Sequence, residues 1–391
     1  MPNIKLLENA LPVAPLKIAA LKSCTAMGEK INQHILGFRR EFPTGQLACC
    51  HYPDTYLLDC ECPRFGTGEA KGILNESSRG KDLFILVDVC NHSLTYTVNG
   101  LTNHMSPDDH YQDLKRIISA ATGKAHRINV IMPFLYESRQ HKRTKRESLD
   151  CAFALQELVE MGVSNIITFD AHDPRVQNAI PLHGFDNFNP PYQFMKALLQ
   201  TEPDLPLDKE HLMIVSPDEG AMHRAVYFSN VIGVNMGMFY KRRDYSVVVN
   251  GKNPIVAHEF LGDDVRGKHV IVVDDMISSG DSILDVAKQL KERGAKKVFL
   301  CACFGLFTEG LDKFDDYYER GYVHRVITTN LTYLPPQICQ KPYFIKADLS
   351  KFLAVIIDAL NHDISIGSVL NPTEKIHCLL EEHRKSRSIS G

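Results

Sequence analysis

What the chain lacks narrows it first. Its 391 residues contain no apolar run near the ~18–20 residues that a bilayer span needs, so a membrane protein is not expected. The amino terminus has no basic block followed by an apolar one, the pattern of a signal peptide, which leads us to expect a soluble, unexported, cytoplasmic protein. Charge of one sign is missing too: 44 Lys+Arg against 47 Asp+Glu leave a net charge of -3. No overall field would draw such a chain onto nucleic acid or an anionic membrane, and partners must be recognised locally. The 11 cysteines are odd in number and lack framework spacing. They sit mostly in apolar contexts, as Cys301 and Cys303 do within Val298 to Phe304, and this usage fits a reducing cytosol. Cys60 and Cys62 come nearest to a metal knuckle, but a single residue parts them and no second pair follows, so zinc is not expected.

What is present is the make-up of an ordinary folded chain, 44% hydrophobic, 23% charged and 8% aromatic, long enough for two domains with a core each. The clearest periodicity runs from His269 to Phe304. Val270 to Val273 is a β-branched run, ended by Asp274 and Asp275, and predicts a buried strand. Ile283, Leu284, Val286, Ala287 and Leu290 then recur at helical spacing, Gly294 stops the helix, and Lys297 to Phe304 is apolar again, completing a βαβ unit. The same grammar occurs upstream, with strands at Ile128 to Phe134 and Ser164 to Phe169 around a helix from Ser148 to Met161, stopped by Gly162. The pairing of Glu157 to Val163 with Gln289 to Ala295 suggests two similar α/β halves.

Prolines 181, 190, 191, 203 and 206 place a domain boundary near residue 190. We therefore expect a domain over 1–190, a second over 191–345, and a helical segment over 346–391 packing back on the body. Residues 91–124 are polar with weak periodicity and read as an insertion on the first domain. Leu349 to Leu360 has a helical pattern, and Glu381 to Gly391 reads as a fraying charged tail.

In a parallel sheet, ligands sit outside the carboxyl ends of strands, where Asp274 and Asp275 are expected to lie. Met276 to Ser282 follows and leads into a helix, so its backbone N–H groups and the helix dipole can hold a phosphate. The plainer reading is a helix cap beside two solvated aspartates. The stretch Gly262 to His269 nearly spells a P-loop, yet His269 stands where the hydroxyl ligand of magnesium belongs and the stretch precedes a strand. It is read as a turn.

Val270 to Ser282 resembles the phosphoribosyl-pyrophosphate binding motif of the type I phosphoribosyltransferase fold. Together with Arg64 to Glu69, Arg139 to Arg143, Phe169 to His172, Val215 to Asp218 and Lys241 to Arg243, in that order, the chain resembles the ribose-phosphate pyrophosphokinases from about residue 60 to 370. The resemblance implies two tandem domains, each a mainly parallel sheet flanked by helices, with the site between them. It also implies transfer of the diphosphate of ATP, with Mg2+, to the anomeric hydroxyl of ribose 5-phosphate.

By the same resemblance, Lys241, Arg243 and Arg139 are catalytic, and Phe65, Glu69, Arg139, Gln140 and His172 meet ATP. Asp274, Asp275, Ser278, Ser279, Gly280 and Ser282 hold the sugar phosphate, and His172 and Asp218 hold the metal. Taken alone, Lys241 to Arg243 is a solvated basic turn and His172 a structural histidine. The basic run Arg139 to Arg146 lies between a strand and a helix, where a loop can fold over a site; the net charge and the lack of interleaved aromatics disfavour a nucleic-acid patch. The Phe65 loop, which in related assemblies serves a neighbouring subunit, implies a homo-oligomer. The chain departs from the family pattern at Ser278, where an acid is usual, at Asp281, where Gly is usual, at Thr67, and at His141, where Asp is common. Asp281 would repel a phosphate in the loop, so its carboxylate is expected to point away, at the helix start. Two rival readings stay open: a phosphoribosyltransferase consuming the product, and a catalytically silent regulatory homologue.

Overall fold

The computed structural model describes residues 10–41, 53–243, 255–367 and 372–390, without the side chains at 41, 241–243, 255–258 and 386–390. Two compact units result. The first gathers 1–190, 330–333 and 348–371, the second 191–329, 334–347 and 372–391.

In chain order the first unit has β1 (Leu16–Ala20), α1 (Thr25–Glu41), a short pair β2 (Cys60–Glu61) and β3 (Ile73–Leu74), β4 (Asp82–Leu86), the hairpin β5 (Thr95–Val98) and β6 (Leu101–His104), α2 (Pro107–Ala121), β7 (Arg127–Ile131), α3 (Asp150–Glu160), β8 (Asn165–Phe169) and β9 (Gly184–Phe188). Its main sheet runs β1-β4-β7-β8-β9, parallel throughout. Every residue of β4 is buried, as expected of a largely apolar strand covered on both faces. The segment 91–124, read from sequence as an insertion, is only partly one. Its hairpin is largely exposed, but α2 buries Tyr111, Leu114, Ile117, Ile118 and Ala121 in the core. A Ser106/Asp109 capping box and Pro107 start that helix, so polar residues in its first turn masked a core element.

The second unit has α4 (Pro191–Thr201), β10 (Leu212–Ser216), α5 (Met222–Ile232), β11 (Asn235–Arg243), β12 (Ile255–Leu261), β13 (His269–Ile277), α6 (Asp281–Glu292), β14 (Val298–Gly305), α7 (Asp312–Glu319), β15 (Arg325–Thr329) and β16 (Phe344–Ala347). The sheet order is β12-β11-β10-β13-β14-β15-β16, with only the β11–β12 pair antiparallel. Strand β13 does not end at Asp274 and Asp275. Its ladder to β14 continues through Met276↔Phe304 and Ile277↔Gly305, because the partner strand stays apolar and buried to its end. On α6, Ile283, Leu284, Val286, Ala287 and Leu290 are all buried, and each larger side chain contributes roughly 1.5–3 kcal/mol, more than any cap.

The last two helices part company, which the sequence did not reveal. Helix α8 (Ser350–Asn361) joins the first unit, lying on α1, where Arg39 Nη1 donates to Asp358 at 2.9 Å. Asn361 at its end joins Arg127 and Asn129 on the fully buried Asp82, all at 2.8–2.9 Å. Helix α9 (Thr373–Ser390) joins the second unit, burying Ile376 and Leu380 and placing His383 Nε2 2.8 Å from the Leu205 carbonyl. The stretch from Glu381, expected to fray, continues this helix to Ser390.

Candidate active site

Gly280 shapes the loop that ends β13. It adopts φ +92, and a Cβ there would sit 2.4 Å from Phe314 Cζ, so glycine is required both for the turn and for the close packing of α7. As the N-cap of α6 it offers no side chain to the helix, and the first-turn N–H groups face no capping oxygen from that position. A phosphate suits such an end. Ser279 Oγ donates to Asp281 at 3.2 Å, and the Asp281 carboxylate is paired with Lys313 at 2.6 Å.

Upstream on β13, Asp275 is 3% exposed and pairs at 3.6 Å with Arg224 of α5, a residue the sequence reading missed. Its signal was the spacing: Arg224 is set six residues after Asp218, on the helix that follows β10. Burial, then the charge of Asp275, pushes the Asp274 carboxyl well up, and the Asp218 charge adds to this. Asp218 follows β10, and its Oδ1 accepts the N–H groups of Gly220 (2.9 Å) and Ala221 (3.2 Å), which orients the carboxylate at the strand end. Lys241 and Arg243 end β11, opposite His258 and Ile255, but their side chains lie outside the described residues.

In the first unit, β8 leads into Asp170, a non-glycine residue at φ +39, and the Ala171 N–H is held by Asn187 Oδ1 at 3.0 Å. That bend presents His172, whose ring lies 5.4 Å from His141. His141 Nε2 is 3.4 Å from Asp173, whose carboxyl is held well below its usual range first by its bonds to Arg175. Burial lowers the His141 pKa, favouring the neutral ring. Arg139 is exposed, whereas Gln140 closes its own loop by donating to the Ser148 carbonyl at 2.7 Å. The amide of Gln140, expected to meet ATP, thus has a structural bond here. Phe65 and Glu69 form a tight turn, Phe65 N–H to Glu69 O at 2.7 Å, that leaves the Phe65 ring 52% exposed. Arg64 anchors the turn through Asp113 (2.5 and 2.9 Å) and lies 5.2 Å from the Tyr96 ring.

Burial pushes the thiols of Cys60 and Cys62 up to about 11 and about 12, which keeps them protonated. Among the described residues no three or more His, Cys, Asp or Glu side chains form a ready metal cage. A single carboxylate such as that of Asp218 fits a hard cation that keeps waters and shares phosphate oxygens, and an imidazole such as that of His172 can serve through one of those waters.

Comparison with known proteins agrees with this geometry. Residues 16–162 match the family model for the N-terminal domain of ribose phosphate pyrophosphokinase, and 194–328 match the phosphoribosyl transferase domain. The ribose-phosphate pyrophosphokinase of Vibrio parahaemolyticus is 27% identical over 319 residues, 81% of this chain and 92% of that one. That of Thermosipho africanus is 30% identical over 263 residues, 66% of this chain and 74% of the relative. The crystal structure of phosphoribosylpyrophosphate synthetase from Mycobacterium smegmatis shares the fold at a TM-score of 0.69 and 22% identity, covering 89% of this chain and 99% of that one. On these matches the chain belongs to the ribose-phosphate pyrophosphokinase family, whose enzymes use ATP and generally need a divalent metal.

Proposed function

We propose that this enzyme transfers the β,γ-diphosphate of ATP to the anomeric hydroxyl of ribose 5-phosphate, giving 5-phosphoribosyl 1-diphosphate and AMP. The C1 oxygen bonds to the β-phosphorus as the bond from that phosphorus to the bridging α,β oxygen breaks, and the hydroxyl proton is released. The observation that carries this reading is the end of β13: two adjacent carboxylates, Asp274 half-buried and Asp275 buried, followed by a glycine-turned loop that opens a helix. Ser278, Ser279, Gly280 and Ser282 receive the 5-phosphate, and Asp274 and Asp275 grip the ribose hydroxyls, with Arg224 fixing Asp275.

Phosphoryl transfer depends on positioning and charge stabilisation more than on covalent help. Lys241, Arg243 and Arg139 neutralise charge on the transferred group and the departing AMP. Asp218 and His172 would each offer a ligand to Mg2+, which would supply neutralisation of the ATP phosphate oxygens. The exposed Phe65 ring, with Glu69, serves adenine of a neighbouring subunit in a homo-oligomer. A cytoplasmic setting is supported by the nine described cysteines, all free, and no described helix is long and apolar enough to cross a membrane.

Incubation with ATP, Mg2+ and ribose 5-phosphate tests the reading by AMP formation. AMP made without any nucleobase excludes a phosphoribosyltransferase. Absence of AMP with retained nucleotide binding would instead fit a silent homologue.

A further inference from the structure

Asp281 places a negative charge in the loop that should receive a dianion, and the sequence alone offers no compensation for it. The structure does. Helix α7 brings Lys313 to the loop, where its Nζ lies 2.6 Å from Asp281 Oδ1 and 2.6 Å from Glu309. The helix is held there by more than this pair. Phe314, next to Lys313 and 1% exposed, packs against Gly280, and its ring meets Phe307 edge-on at 5.3 Å. The backbone after β14 is also tied to the loop, Thr308 N–H to Ser278 O at 3.0 Å and Leu306 N–H to Ile277 O at 2.8 Å. The base of Lys313 is therefore fixed beside residues 278–281.

Its ammonium is not. The side chains of Lys313 and Asp281 are 46% and 61% exposed. Such surface ion pairs contribute little and exchange partners readily. Hydrogen bonds to Asp281 and Glu309 hold the lysine proton firmly, and the bond from Lys313, then that from Ser279, depresses Asp281, so both remain ionised. A phosphate monoester carries more charge than a carboxylate and offers three acceptor oxygens, so it competes well for one ammonium.

We propose that Lys313 is a substrate-binding residue: it shields Asp281 in the empty loop and passes its ammonium to the 5-phosphate when the sugar enters. The inference rests on the functional reading above and deepens it, assigning to α7 a role in recognising the phosphate ester. It also explains how a loop with Asp281 in place of glycine can still take an anionic substrate.

A double-mutant cycle tests this, read by calorimetric titration of ribose 5-phosphate into Lys313→Met, Asp281→Gly, the double variant and the unchanged protein. Removing a charge-assisted contact should weaken ribose 5-phosphate about tenfold or more. The deciding comparison is within the Asp281→Gly background, where the loop carboxylate is gone and Lys313 has nothing there to shield. We expect Lys313→Met still to weaken ribose 5-phosphate about tenfold in that background, ATP affinity and melting temperature to stay unchanged, and Lys313→Arg to retain most of the affinity. An effect of Lys313→Met that vanishes without Asp281, or that is equal for ATP and the sugar phosphate, overturns the proposal. Failure of the unchanged protein to form AMP from ATP and ribose 5-phosphate would instead overturn the functional reading beneath it.

Discussion

The two units share a parallel sheet but treat the carboxyl ends of their strands differently. In the first, β8 ends in a bend at Asp170 that displays one imidazole, His172, while Asp173 just after it is paired with Arg175, and the amide of Gln140, between β7 and α3, is bonded within its own loop. In the second, β13 runs on past Asp274 and Asp275 into a glycine-turned loop, and an antiparallel strand, β12, is added beside β11, which carries Lys241 and Arg243. The lesson is that a doubled architecture does not double the chemistry. A phosphate-holding end needs a strand that continues, a glycine at positive φ and a helix without a side-chain cap, and only the second unit unites these at β13 and α6 among the described residues.

The comparison is tested most severely by removing charge from the second unit. Lys241→Ala should lower turnover by roughly 10²–10³ with ATP binding retained, since its charge is needed as negative charge develops in transfer. Turnover close to that of the unchanged enzyme would remove Lys241 from the mechanism. Next, Asp274→Asn and Asp275→Asn should each raise KM for ribose 5-phosphate more than for ATP, with a melt of each variant to separate misfolding from lost contacts. Arg224→Met should mimic Asp275→Asn if the 3.6 Å pair orients that carboxylate.

Matched glycines sharpen the contrast at smaller scale. Gly162 and Gly294 both have φ +90, and a Cβ on Gly162 would meet nothing within 4 Å. Gly162→Ala should therefore cost only the left-handed strain, about 1–2 kcal/mol in a denaturant titration. Gly280→Ala adds the 2.4 Å clash with Phe314 to similar strain and should cost clearly more, while also weakening ribose 5-phosphate. Equal losses at Gly162 and Gly280 would show that the packing of α7 on the loop is slack.

The smallest effect concerns acid. His269, 5% exposed at the start of β13, has its pKa lowered to about 4 by burial and then by Lys296 and Lys297. Its unfolded form, near the ordinary 6.5, binds protons first, so the contribution to stability is complete above that pH and is lost as pH falls toward about 4. The melting temperature should fall by a few degrees across this window, and His269→Phe should flatten the slope. An unchanged slope in that variant would assign the acid sensitivity elsewhere.

Much of this was legible in the linear chain because its physics is local. The apolar runs of β13 and β14 and the 3.6-residue period of α6 need no distant partner to be recognised, and Gly162 and Gly294 stop their helices as their positions suggest. The loop Ser278 to Ser282 was visible as a candidate phosphate cradle for the same reason, since strand, turn and helix are consecutive. What the sequence determined by itself is thus these locally periodic elements, the family and the loop. Tertiary structure alone decided which unit each closing helix joins, that α2 is core, that Arg224 stands on Asp275, and that Lys313 answers Asp281. Lys313 lies 32 residues from Asp281, and no periodicity links them. The packing of Phe314 against a glycine without a Cβ, with the backbone bonds from Thr308 and Leu306 to the loop, brings the two charges together.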